Sequence, residues 1–317
     1  MDNGLEIIHS MRKLAIVGPT ATGKSRLAIE LAEILQHKYE TNYEIISADS
    51  MCVYESMDIG TAKPSVEDRK LVPHHLIDII KPQEEFSVSE FQSKASQIIE
   101  PIDFGNGGVI MVGGTGLYIR SIVDGLEIPG KWPTVRARIE QEILSKGQES
   151  LYQDLLERDP VAASRIIPSN TRRIVRALEV IMGSGRMFSS FGPGLESYLD
   201  TQYVQIGLDL ENEELDKAIE LRLELQLEMG FVQEVEDLLK AEVPMSKTAR
   251  QALGYKELIR FIQGEISIET AKDIIVARTR RFARRQRRWF RRDPRIIWFR
   301  GDRDPTKIMS QLEKLAS

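Results

Sequence analysis

Residues 13–17 form a short apolar run, which predicts a buried strand. A glycine-containing turn follows over 18–25, and Leu27, Ala28, Leu31, Ala32, Ile34 and Leu35 then recur at helical spacing. Residues 44–48 predict a second strand ending at Asp49 and Ser50. Residues 109–112 predict a third, broken by Gly113 and Gly114. Strand, glycine turn, helix, strand is the pattern of a parallel α/β sheet. Such sheets bind ligands at the carboxyl ends of their strands. The loops at 18–25, 49–54 and 113–116 all follow strands in that sense.

From about residue 128 the pattern changes. Residues 135–144, 150–157 and 170–182 read as helices, punctuated by Pro129, Pro133, Pro160, Pro168 and Pro193. A strand-like run returns at 203–210, and helices are predicted at 213–229, 232–240, 247–263 and 268–292. The expected fold is therefore α/β: a P-loop parallel-sheet core, a mostly helical insertion and a helical C-terminal region. The core is expected over 1–128, the insertion over 129–200, and core completion with basic helices over 201–317. A length of 317 residues suits about two domains.

Composition narrows the class. Cys52 is the one cysteine, so an intramolecular disulfide and a cysteine-based zinc site are both excluded. No apolar run reaches the ~18–20 residues of a membrane helix, and residues 1–12 lack the apolar stretch of a secretory signal. The expectation is a cytoplasmic protein, monomeric, with no membrane partner. Its net charge of −5 hides an asymmetry. Residues 278–300 hold eleven arginines and one acid, Asp293, a local +10 against −15 for the remainder. One intensely basic segment on an acidic protein predicts a polyanion partner at one place.

The run GPTATGKS at 18–25 fits G-x-x-x-x-G-K-[ST] at every fixed position. Gly18, Pro19, Thr20, Ala21, Thr22, Gly23, Lys24 and Ser25 would cradle a diphosphate or triphosphate, through inward N–H groups, the helix N-terminus and the lysine charge. The Ser25 hydroxyl can ligate Mg²⁺. Asp49 is the strand-end acid identified here, either toward metal or as a general base toward an acceptor. The third strand is followed by Gly113-Gly114-Thr115 and no acid, so the site lacks an ordinary nucleotide-hydrolysis set. His74 and His75 read as structural, and Cys52 lacks a base partner for nucleophilic work. On the helix at 268–292, Ala271, Ile275, Phe282 and Trp289 form an apolar stripe, leaving the arginines for outside contact.

Taken in order, GPTATGKS at 18–25, SADSMCVY at 47–54, MDIGTAKP at 57–64, GGTGLY at 113–118, DP at 159–160, NTRRIVRALEV at 170–180, GYKE at 254–257 and RRQRRWFRRDP at 284–294 resemble the tRNA dimethylallyltransferase family, also called tRNA isopentenyltransferase. The resemblance covers nearly the whole chain. It implies transfer of a dimethylallyl group from dimethylallyl diphosphate to N6 of the adenosine 3′ of the anticodon in tRNA, releasing diphosphate without using ATP. It further implies that Arg222 faces the diphosphate, that Asp49 takes the amine proton and that Thr20 lies near the reacting centre. Asp49, Ser50, Met51, Cys52, Thr115, Arg136, Arg172, Arg173, Arg176, Gln251, Gly254, Tyr255, Lys256, Arg284, Arg287 and Arg288 match positions that contact tRNA and its anticodon stem-loop. The chain departs from the family at Cys52, where glutamine is common. It also lacks a C-terminal Cys/His zinc finger, which places it with the bacterial form. A P-loop small-molecule or nucleotide kinase explains residues 18–25 and Asp49 but not the arginine helix. A GTPase-like RNA-binding module would need an N-K-x-D-like run, which the sequence lacks.

Overall fold

At the centre of the computed structural model lies β1 (Lys13–Val17), whose residues from Leu14 to Val17 are fully buried. That burial on both faces is the reason its sequence is a continuous apolar run and not an alternating one. The structure describes residues 11–192, 194–195, 197–301 and 303–316. The expected break at Pro193 and most of the segment read for a leader lie outside them. Five further strands complete one sheet: β2 (Tyr43–Ser47), β3 (His74–His75), β4 (Gly108–Gly113), β5 (Val204–Asp209) and β6 (Ile297–Arg300). Their order is β3-β2-β4-β1-β5-β6, and every pairing is parallel. The chain leaves β1 to build β2 and β3 on one side, then returns to place β5 and β6 on the other. The strand order thus reverses at β1, and the crevice at its carboxyl end is where such a sheet receives ligand.

Helices cover both faces. On one, α1 (Lys24–Tyr39) buries Leu27, Leu31 and Leu35 beside Ile308, Met309 and Leu312 of α13 (Pro305–Ala316). On the other, α3 (Val88–Phe104) and α4 (Gly116–Val123) meet through Phe91 stacked on Tyr118, ring centroids 4.1 Å apart. Both α2 (Val66–Leu71) and α3 start in capping boxes, Ser65 with Asp68 and Ser87 with Glu90.

The chain separates into two units, one of residues up to Val123 and from Asp200, the other Asp124–Leu199. The second unit contains α5 (Pro133–Arg158), α6 (Pro160–Arg165) and α7 (Thr171–Ser184) around Ile139, Leu155, Ile174 and Leu178. The two helices predicted at 135–144 and 150–157 are the arms of α5, which turns at Gly147 with φ +78°. In the first unit, the hydroxyl of Thr201 donates to the carbonyl of Val123 at 2.8 Å, joining the two points where the chain leaves and re-enters.

The C-terminal region holds α8 (Asn212–Glu228), α9 (Phe231–Leu239), α10 (Lys247–Arg250), α11 (Tyr255–Ile262) and α12 (Ile268–Phe290). The single helix expected at 247–263 is two. Gly254 divides it at φ +87°, a conformation that glycine adopts without strain. A Cβ there would stand 2.6 Å from the Phe231 ring. The stripe expected on α12 is also corrected. Ala271, Ile275, Ala283, Gln286 and Phe290 are its buried residues. Phe282 and Trp289 sit one position off that stripe, because small Ala283 packs on Leu215 and Ile219 of α8 and rotates Phe282 toward the ligand crevice. Among the described residues no helix is long and apolar enough to cross a membrane.

Candidate active site

The loop between β1 and α1 has a backbone that only this sequence pattern permits. Gly18 has φ +137°, and a Cβ on it would collide with the carbonyl oxygen of Leu208 on β5. Gly23 caps α1 at φ +87°, turning the helix N-terminus into the crevice. Buried Thr22 closes the loop by donating its hydroxyl to the Pro19 carbonyl at 2.9 Å. Lys24 Nζ donates to the same carbonyl at 2.5 Å. Ser25 is exposed at the first turn of α1.

Two neighbours bring charge to this loop. Arg222 reaches from α8 and donates Nη1 to the Thr20 hydroxyl at 2.7 Å. Asp49, just past β2, accepts from the Met51 N–H at 2.8 Å, which fixes its carboxylate in a local turn. Burial lowers the Lys24 pKa to about 8; Asp49 pulls it back upward, and Arg222 pushes it further down. Arg222 is lowered by burial, with Asp49 opposing. The loops after β2 and β4 touch directly, since the Ser50 N–H donates to the Thr115 hydroxyl at 3.2 Å. Thr20, Lys24, Ser25, Asp49 and Arg222 line one cavity, whose less polar wall is Cys52, Ala62, Pro64, Ile77 and Phe282. Sequence reasoning identified the polar wall and missed most of the other, which comes from loops that carry no charge signal.

The wall at residues 61–64 belongs to a loop that is held from below. Glu234 accepts from three successive backbone N–H groups, Asp58 at 2.8 Å, Ile59 at 2.7 Å and Gly60 at 3.1 Å. Gln226 donates to the Ile59 carbonyl at 2.5 Å. Lys63 is buried between Asp58 and Asp78. The expected structural role of the histidines matches their partners: His75 Nε2 meets Glu44 at 2.5 Å, and His74 Nδ1 the Val72 carbonyl at 2.7 Å.

Several expectations about charge are corrected. Asp49 is not the sole strand-end acid, because Asp209 ends β5 with a fully buried side chain. Its oxygens are taken by Arg287 at 2.8 Å and Arg291 at 2.9 Å. Arg287 also donates to Asn212 and to the Leu210 carbonyl at 2.7 Å, so its guanidinium is engaged within the protein. Arg280 pairs with Asp216 and Glu220, Arg278 with Glu257 and Arg295 with Asp293. The arginine run is thus partly neutralised by acids of other elements. Arg281, Arg284, Arg285, Arg288 and Arg292 remain exposed; Arg284 reaches Asp216 at 3.3 Å.

The other candidate RNA contacts divide in the same way. Arg172 and Arg173 are exposed on α7. Arg176 instead donates to the Pro129 carbonyl at 2.8 Å and pairs with buried Glu179, and Arg136 shares that carboxylate at 3.4 Å. Gln251 and Lys256 are exposed. Tyr255 is fully buried, its hydroxyl donating to Glu234 at 2.6 Å, so its side chain braces the 57–64 loop from within. Gly254 and Cys52 are buried too, and burial pushes the Cys52 thiol well above its ordinary pKa. Met51 packs against the core of the C-terminal helices.

Comparison with known proteins shows the family. The family model "IPP transferase" matches residues 52–293. A protein of Streptomyces coelicolor named tRNA dimethylallyltransferase is 46% identical over 290 residues, covering 92% of this chain and 90% of that protein. A second of that name, from Halothermothrix orenii, is 41% identical, covering 96% and 92%. The crystal structure of the full-length tRNA isopentenylpyrophosphate transferase of Bacillus halodurans is 35% identical, covering 96% of this chain and 98% of that one, at a TM-score of 0.67. A eukaryotic dimethylallyltransferase solved acting on tRNA shares the fold, with a TM-score of 0.75 at 24% identity over 96% and 77% of the two chains. On this agreement of motif order, sheet topology and sequence identity, the chain belongs to the IPP transferase family.

Proposed function

We propose that this protein transfers the dimethylallyl group from dimethylallyl diphosphate to N6 of the adenosine 3′-adjacent to the anticodon of a tRNA. The observation that carries the reading is the cavity at the carboxyl end of β1. It joins a phosphate-binding loop and two cations to an apolar wall of Cys52, Ala62, Pro64, Ile77 and Phe282. An amphiphile with a diphosphate head and a short hydrocarbon tail has that distribution of polarity.

In the reaction, N6 forms a bond to the allylic carbon as its C–O bond breaks, and diphosphate leaves whole. Lys24, Arg222 and the loop N–H groups take up the charge that develops on the departing oxygens. Asp49 accepts the N6 proton. Thr20, whose hydroxyl accepts from Arg222 at 2.7 Å, would lie near the reacting carbon. Ser25 fits as a Mg²⁺ ligand in its exposed position on the first turn of α1. Ser25 would hold such an ion beside the diphosphate, where it would offset phosphate charge.

The target base must leave its stack to reach a site at the strand ends. Arg172 and Arg173 on the helical unit, and Gln251, Lys256, Arg284 and Arg288 on the other, are the exposed groups for RNA phosphates. The direct test is incubation with dimethylallyl diphosphate and unmodified tRNA, followed by nucleoside analysis. N6-dimethylallyl adenosine is the expected product; ADP formed from ATP, with no prenylated nucleoside, would instead identify a kinase.

A further inference from the structure

Gln286 stands among arginines on α12, yet it is only 7% exposed. Its amide spans two strand-end loops. Oε1 accepts from the Thr20 N–H at 2.9 Å, and Nε2 donates to the Gly114 carbonyl at 3.0 Å. Gly114 makes the room, since a Cβ there would collide with Nε2. The Thr20 N–H and the Pro19 carbonyl belong to one planar peptide unit. That carbonyl accepts from Lys24 Nζ at 2.5 Å and from Thr22 at 2.9 Å. One rigid plane therefore has Gln286 on one edge and Lys24 on the other. The plane rotates only through ψ of Pro19 and φ of Thr20, and the pyrrolidine ring holds φ of Pro19, on its far side, fixed.

We propose that Gln286 is a positioning residue for the transfer step: it fixes the Pro19–Thr20 peptide, and through it the resting place of Lys24 and the angle at which the Thr20 hydroxyl meets Arg222. The inference rests on the transferase reading above. A strut that merely docks α12 is the alternative, but docking has other agents. Ala283 and Phe290 are buried, and Trp289 fills the gap left by Gly116.

Gln286→Met keeps the reach of the side chain and makes neither bond. Gln286→Glu keeps an acceptor for the Thr20 N–H but cannot donate to Gly114. Each is compared with the wild type for inorganic pyrophosphate affinity, kcat and KM for dimethylallyl diphosphate, tRNA affinity, melting temperature and amide exchange of residues 18–25. For the Met variant, kcat should fall about 10²-fold, the loss expected of a small misplacement of a reacting group. Pyrophosphate affinity should weaken, exchange should quicken in 18–25 alone, and tRNA affinity should hold. The Glu variant should lie between. A folded Met variant with wild-type kcat and pyrophosphate affinity overturns the proposal. So does a lowered melting temperature with unchanged kcat per folded molecule, or a loss confined to tRNA affinity. If the Met variant does not fold, the Glu variant decides: reduced kcat supports the proposal and unchanged kcat overturns it. If wild type yields no prenylated tRNA, the transferase reading fails, while pyrophosphate affinity and loop exchange still judge Gln286.

Discussion

Asp49 and Lys24 share one cavity but carry opposite tasks, and their variants should separate. Asp49→Ala removes the group proposed to accept the N6 proton. Transfer should drop about 10²–10⁴-fold while tRNA affinity persists; single-turnover rates beside filter-binding measurements check both halves. Wild-type turnover in this variant would falsify the role of Asp49 as base. Lys24 gives a prediction in pH. Its pKa in the free protein is lowered to about 8. A bound diphosphate favours the charged form and raises that value, so binding takes up a proton where free Lys24 has lost it. Diphosphate affinity should therefore hold below pH 8 and fall as pH climbs above it. Titration calorimetry with pyrophosphate from pH 7 to 10 should show the slope, and Lys24→Met should remove it. Both residues were legible in the sequence because motif spacing carries them. Asp209 was not: it reads as the last polar residue before a helix, and only the fold reveals Arg287 and Arg291 upon it.

At the scale of elements, α12 shows how far local charge counting reaches. Its arginines repeat with one acid among them, and from sequence that reads as a single phosphate-binding face. The neutralising acids lie on α8, on α11 and at the end of β5, 21 to 82 residues away, where no local window finds them. The helix therefore has two populations of arginine with different expected phenotypes. Replacing exposed Arg284, Arg285 and Arg288 by Gln should flatten the dependence of log K on log salt for tRNA, by roughly 0.7–0.9 for each phosphate that is no longer neutralised. Folding should be intact, since Gln is nearly as good a helix former as Arg. Replacing Arg287 should instead destabilise the fold by about 1.5–3 kcal/mol, the range for a hydrogen bond to a charged group, since Arg291 still pairs with Asp209. Chemical denaturation and salt-dependent tRNA binding of the two sets decide the matter, and identical behaviour would refute the division. The missed helix α3 had a readable start, Ser87 and Glu90 three apart before Phe91, Ala95 and Ile99. Two-residue β3 had none, being defined by its pairing with Ile45 and Ile46.

For the whole molecule, the helical unit is an insertion whose exit and entry points are pinned together by the Thr201 hydroxyl on the Val123 carbonyl. Adjacent ends mean that a short Gly/Ser linker in place of residues 124–199 closes the core with little entropy lost. Such a protein should fold, bind pyrophosphate as the wild type does and lose tRNA affinity; circular dichroism and the two titrations test it, and an unfolded core would overturn it. The loop at residues 57–64 has a consequence for the molecule as a whole. Three successive amides converging on the oxygens of Glu234 form the kind of concavity with which backbones bind anions. The chain thus contains a second anion cradle beside its P-loop, and it supplies the occupant from its own α9. Glu234 occupies the anion position that these three amides make, beside the cavity wall. Glu234→Ala should reopen the second. Sulfate should then slow amide exchange in residues 57–64 of the variant and leave the wild-type loop unchanged, whereas a variant indifferent to sulfate would mean that the amides alone do not make the cradle.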